Sequence, residues 1–190
     1  MATNRSAWLA AGVVPVGLGI GAVALTGQRE SPDTTLSAPQ LVERGRYLVE
    51  VGACTDCHSP HDQTGNVITG AEFTGHPPNA PIATWDPSLL EKGVVATTSP
   101  TLTSIAGPWG ISIAPNLTPD METGIGHLTA DALIASWRTG KHWQTGQPIK
   151  PPMPWPSYAK FTDEDIRAIH AYLMSLEPKK AQPIPAPPQG

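Results

Sequence analysis

Five consecutive residues constrain this chain more than any others: Cys54-Thr55-Asp56-Cys57-His58. Two thiols three positions apart, with an imidazole next in sequence, make the C-x-x-C-H string through which a c-type haem is attached. Each thiol can reach one vinyl group of the same porphyrin and close a thioether, and the adjacent imidazole then falls under the iron. Other uses of these residues explain less. A redox dithiol leaves His58 idle and lacks a thioredoxin-like strand–helix setting. A structural zinc site needs four ligands, and the chain has only two cysteines. A disulfide also leaves the histidine without a role. The expectation is one haem c, covalently held by Cys54 and Cys57, with His58 on the iron.

The second axial position has several candidates: Met121, Met153, Met174, His61, His76, His127, His142 and His170. Met174 falls in a predicted helix, where methionine is commonly core filler. Met121 falls in the polar turn Pro119-Asp120-Met121-Glu122-Thr123. Met153 lies in Pro151-Pro152-Met153-Pro154-Trp155-Pro156, where proline fixes φ and stiffens the chain. A thioether is a weak ligand and gains from a loop that loses little entropy on ordering, and Trp155 is placed to screen the haem edge. Met153 is therefore the expected ligand, with His142 or His76 as bis-histidine alternatives. Ligation by His and Met fills both axial sites, raises the potential and suits electron transfer.

The N-terminus sets the compartment. Ala7–Leu25 is a run of 19 uncharged, largely apolar positions behind Arg5. As a helix it would span roughly 28 Å at ~1.5 Å per residue, close to the hydrocarbon core of a bilayer. The expected organisation is a membrane anchor (or uncleaved signal) over 1–26 and a linker over 27–37. A haem domain follows over 38–177 with a long loop insertion at 59–112, then a Pro-rich tail over 178–190. The haem domain is expected on the periplasmic side of a bacterial inner membrane, because covalent haem attachment takes place outside the bacterial cytoplasm. A net charge of −4 with no basic stripe excludes nucleic acid as a partner.

Helix signals are clear in three places. Ser37 with Gln40 and Pro39 starts a helix carrying Leu41, Gly45 and Leu48 on one face. Thr129–Thr139 reads as a helix stopped by Gly140. Thr162, with Asp165 completing a capping box, opens a helix in which Ile166, Ile169 and Leu173 share a side and Pro178 follows the end. The stretch from Ser59 to Ser112 has no sustained period and is expected to be irregular, with at most a short helix over Pro87–Lys92.

Gly45-Arg46-Tyr47-Leu48-Val49 leading into Cys54-Thr55-Asp56-Cys57-His58-Ser59-Pro60 resembles the class I cytochromes c. More narrowly, it resembles the haem domains of alcohol and aldehyde dehydrogenase cytochrome subunits. Ala114-Pro115-Asn116-Leu117-Thr118-Pro119-Asp120, Glu122-Thr123-Gly124-Ile125-Gly126, Arg138-Thr139-Gly140-Lys141 and Pro152-Met153-Pro154-Trp155 continue the likeness in order. The resemblance implies an all-α fold with N- and C-terminal helices crossing beside one haem, and His58 and Met153 as axial ligands. It departs from the family at His127-Leu128-Thr129, where an aromatic usually precedes Ser or Thr, and in the long interval between His58 and Met153. The function expected is one-electron transfer to and from redox protein partners, as a membrane-tethered carrier or a subunit of a membrane-bound complex, without catalysis by the chain itself. Direct participation in a dehydrogenase reaction, a haem-based sensor and an accessory structural subunit are the alternatives.

Overall fold

The helix that opens after Ser37 meets the last helix of the chain at a glycine, and that crossing organises the rest. In the computed structural model, which describes residues 36–180, the α-helices are α1 (Ala38–Val51), α2 (Cys54–His58), α3 (Ala130–Thr139), α4 (Trp155–Tyr158) and α5 (Asp163–Ser175). The Gln40 side chain accepts the Ser37 N–H at 3.0 Å, closing the first turn of α1. Where α1 crosses α5, the Gly45 backbone lies so near the Ala168 carbonyl that a Cβ at Gly45 would stand 1.9 Å from its oxygen. Leu48 and Val49 of α1 are thereby buried against Ile166, Ile169 and Leu173 of α5.

Polar contacts at the edges set the register of the crossing. Thr162 Oγ1 accepts the Asp165 N–H as expected of a cap. The Asp165 carboxylate, however, accepts from Arg44 of α1 at 2.9 Å instead of reaching back to Thr162. The capping box read from the sequence is thus half-formed, because a cation on the facing helix takes the acid. Helix α3 packs on the far side of α5, with Arg167 donating to Asp131 at 2.7 Å and His170 Nε2–H donating to the Leu128 carbonyl. Its start and stop match expectation: Thr129 Oγ1 accepts the Ala132 N–H, and Gly140 caps the end.

The all-α expectation is overturned by the long insertion. It carries a three-stranded antiparallel sheet in the order β1-β2-β3, formed by β1 (Thr97–Thr98), β2 (Ser104–Gly107) and β3 (Gly110–Ile113). The described fold is mixed: the five α-helices, a 3-10 helix over Pro87–Lys92, and this sheet. Strands of two to four residues are too short to display alternation in sequence, so tertiary pairing makes them. A buried polar chain ties the sheet to the preceding loop. His76 Nε2 contacts the Ala80 carbonyl, which can only accept, so Nδ1 accepts the Thr103 hydroxyl at 2.8 Å. Thr103 then accepts from Thr101, Thr101 from Ser99, and Ser99 from the Ser104 N–H. Each group in this chain has its partner, which helps a Ser- and Thr-rich segment to order.

The apolar run Ala7–Leu25, most of the linker and the end of the Pro-rich tail lie outside the described residues. Among the described residues no helix is long and apolar enough to cross a membrane, so the spanning helix of the fold expectation is not one of these elements.

Replacing Gly45 with Ala forces α1 and α5 apart. The expected result is a loss of about 1–3 kcal/mol, in line with overpacked cores, read as a lower urea midpoint with an unchanged m-value.

Candidate functional site

Helix α1 stops because the chain turns sharply after Val51. Ala53 takes a left-handed conformation (φ 54°), unusual for a residue with a Cβ, and the chain restarts at once as α2. Cys54 and Cys57 therefore lie on one short helical turn, unpaired and half-buried. Burial pushes the Cys54 thiol up to about 11, against the pull of a backbone hydrogen bond and aided by the neighbouring Cys57 and Asp56. Cys57 is raised for the same first reason, with Asp56 second. Both thiols are protonated at neutral pH. Redox dithiols have the opposite property, a lowered pKa, so the geometry disfavours that use of the motif.

His58 is 8% exposed, and its Nδ1 lies 3.0 Å from the Pro115 carbonyl oxygen. A carbonyl only accepts, so Nδ1 carries the proton and Nε2 presents its lone pair. Among the described residues Nε2 has no protein partner. Burial holds the pKa of His58 below the usual range, with the Pro115 bond working the other way, which keeps the ring in the neutral form that binds metal. An imidazole oriented by Nδ1–H···O=C, with Nε2 open and two unpaired thiols one and four residues before it, fits a covalently attached haem.

Pro115 stays in place because two loops close on each other. The Gly75 N–H donates to the His58 carbonyl, the His76 N–H to the Ala114 carbonyl, and the Leu117 N–H to the Phe73 carbonyl, at 2.8–3.0 Å. Gly75 has φ +73°, and a Cβ there would lie 2.6 Å from Ala114 O and from the Pro115 carbonyl carbon. Only glycine permits this approach. Neither Pro115 nor Gly75 was singled out as a functional residue from sequence, since the acceptor is a main-chain group and the glycine sits in a stretch rich in glycine.

Met153 is half-buried against the core. The chain before it is tied to β3, with Ser112 Oγ donating to the Pro151 carbonyl at 2.5 Å and Lys150 Nζ to the Ile111 carbonyl at 3.3 Å. The chain after it enters α4, where the Tyr158 O–H donates to the Gly52 carbonyl and the ring borders Gly52 together with the Cys54 sulfur. The sheet and α4 thus anchor the Met153 segment on both sides, and Tyr158 joins it to the cysteine turn. Burial, then the nearby Cys54 and Cys57, pushes the Tyr158 phenol up to about 12, so it stays a donor. Trp155 folds over the backbone at Gly140.

Several of the other candidates are packed or hydrogen-bonded elsewhere, and others are exposed. Met121 is 57% exposed and Met174 packs from α5 on the core. Both ring nitrogens of His76 are bonded, and His170 is bound to Leu128. His142 stacks on Trp143 and accepts the Gln144 N–H. His127 is exposed, while His61 is buried with Nδ1 unpartnered. Asp120 accepts the Glu122 and Thr123 N–H groups, which keeps its carboxyl below the usual range as a turn-former rather than an acid–base group.

A family model described as cytochrome c matches residues 42–177. The chain is 34% identical over 134 residues to the gluconate 2-dehydrogenase cytochrome c subunit of Pantoea cypripedii, covering 70% of the chain and 23% of that protein. It is 28% identical over 134 residues to the cytochrome c subunit of the alcohol dehydrogenase (quinone) of Gluconobacter oxydans, covering 70% and 21%. It is 25% identical over 146 residues to the fructose dehydrogenase cytochrome subunit of Gluconobacter japonicus, covering 77% and 22%. The chain thus spans less than a quarter of the length of these relatives. With the oriented His58, the paired thiols and the matched region coinciding, the chain belongs to the cytochrome c family and is homologous to electron-transfer cytochrome subunits of dehydrogenases.

Proposed function

We propose that the chain is a one-electron carrier holding one haem c through Cys54 and Cys57, with His58 and Met153 as axial ligands. Covalent haem c as such comes with the family; the single haem and the ligand pair rest on one C-x-x-C-H string and the architecture around it. The observation that carries the proposal is His58, whose Nδ1–H is committed to Pro115 while Nε2 is left for a metal. When bound, the haem iron supplies the one-electron couple. The protein holds the imidazole neutral and oriented and braces the Met153 segment between β3 and Tyr158. It assigns no acid–base or nucleophilic step to its own side chains.

The proposed partner is a dehydrogenase that delivers electrons to this domain, which passes them on to a second redox protein. The relatives named as dehydrogenase cytochrome subunits support this reading. The proposed site of action is the periplasmic face of a bacterial inner membrane, where the apolar run Ala7–Leu25 attaches the chain. A thiosulfate dehydrogenase reaction at the haem would draw support from a further reactive cysteine, and none remains once Cys54 and Cys57 are used.

Mass measurement of the denatured holoprotein is expected to show one porphyrin retained per chain, and retention of none would overturn the assignment. Met153→Ala is expected to abolish the sulfur-to-iron charge-transfer band of the oxidised protein and to open the ferrous form to carbon monoxide. Persistence of the band would move the ligand to Met121 or Met174, and rapid carbon monoxide binding by the unaltered protein would favour a sensor. Gly75→Ala drives Ala114 and Pro115 away from His58. It is expected to cost about 1–3 kcal/mol by overpacking and to raise the midpoint potential in a spectroelectrochemical titration.

A further inference from the structure

The residues that follow α5 do not simply leave the domain. Lys179 is gripped through its main chain by two buried side chains. Thr118 Oγ1 accepts the Lys179 N–H at 3.1 Å and donates to the Lys179 carbonyl at 3.1 Å. Asn116 Nδ2 donates to the same carbonyl at 2.9 Å and to Thr123 Oγ1 at 3.1 Å, while Asn116 Oδ1 accepts the Thr118 N–H. Thr118 is 1% exposed and Asn116 3%, so these bonds replace water for groups that would be costly to leave unpaired. The Lys179 side chain reaches the other way, Nζ donating to the Gly70 carbonyl at 2.6 Å and to Glu72 at 3.1 Å.

The two segments joined by Lys179 are the two that close on His58. Residues 70–75 lead to Phe73, whose N–H donates to Ser59 Oγ, and to Gly75, which holds the His58 carbonyl. Residues 114–118 carry the Pro115 carbonyl that accepts from the His58 ring. Asn116 is the next residue after that acceptor. The partly exposed Lys179–Glu72 ion pair contributes little by itself. The hold comes from the buried main-chain bonds.

We propose that Asn116, Thr118 and the main chain of Lys179 form a clasp that presses the Pro115 carbonyl onto His58 Nδ1–H, and that they are positioning residues which set the reduction potential. The inference rests on the reading of His58 as an iron ligand. A stronger Nδ1–H···O=C bond makes the imidazole a better donor and favours the more positive iron. Loosening the clasp weakens that bond and raises the potential. The same clasp links the chain leaving α5 to the electronic environment of the haem, so tension applied there would be felt at His58.

The test uses the full-length holoprotein. Thr118→Val keeps the shape and deletes both hydroxyl bonds, and Thr118→Ser restores them. Lys179→Pro removes the main-chain donor together with the side-chain bonds to Gly70 and Glu72, and Lys179→Gln controls for the loss of the lysine charge. The expected result is a rise in midpoint potential in Thr118→Val, and in Lys179→Pro relative to Lys179→Gln. Its size should be on the order of threefold to tenfold in the reduction equilibrium constant, tenfold being about 59 mV for one electron. The His58 Nδ1–H resonance of the ferrous protein should move upfield, and Thr118→Ser should return both readouts towards those of the unaltered protein. The proposal is overturned if both clasp variants speed amide exchange at the C-terminal segment while potential and resonance stay unchanged. Loss of covalently retained porphyrin from the unaltered protein would instead overturn the haem assignment itself, a distinguishable failure.

Discussion

The hydrogen bond from His58 Nδ1 to the Pro115 carbonyl is the interaction on which the arrangement of this protein depends. An isolated imidazole can present either nitrogen and turn about two side-chain torsions. Burial disfavours the charged form, and a carbonyl fixed in space removes the choice of tautomer. To fix that carbonyl, the chain brings together segments far apart in sequence, residues 73–76, Thr103 and residues 114–117. The helices play a different part, setting the position of the backbone from which His58 projects.

The insertion is best understood as a scaffold. Its sheet is small, yet β3 holds the Lys150–Pro151 segment before Met153, and the Thr103 carbonyl that precedes β2 holds Ala114 beside Pro115. One compact element thus reaches both the Pro115 and the Met153 segments. Alongside buried Phe73, Ala83 and Ala106, a directed run of hydroxyls ending on His76 holds it together. Such a run specifies one arrangement, because a single missing partner would leave a buried group unsatisfied. Tyr158 completes the frame from the opposite side by tying α4 to the turn that carries Cys54.

Much of this was legible from residue types. The three long helices end within a residue or so of their caps, since Ser37, Thr129, Thr162 and Gly140 act through bonds within one turn. Gly45 could be read as a close-approach position, and α5 supplies the approach. Local signals failed where the partner is remote. Asp165 has capping-box spacing, but Arg44 lies 121 positions away in sequence and takes the carboxylate. The strands escaped notice because two to four residues carry no period, and Pro108-Trp109 is not a strong hairpin signal.

What the sequence determined by itself was the chemistry at hand: two thiols and an imidazole at fixed spacing, a stiff methionine loop, and helices with explicit ends. These follow from covalent connectivity and short-range hydrogen bonding, which need no knowledge of the fold. Only the tertiary structure decided which nitrogen of His58 is free, which imidazoles are already spent on other partners, and that a mixed fold with a small sheet replaces an all-helical one. Those outcomes depend on main-chain carbonyls and on glycine close approaches between distant segments. Such groups are the same at almost every position, and a residue's name does not reveal which of them will meet.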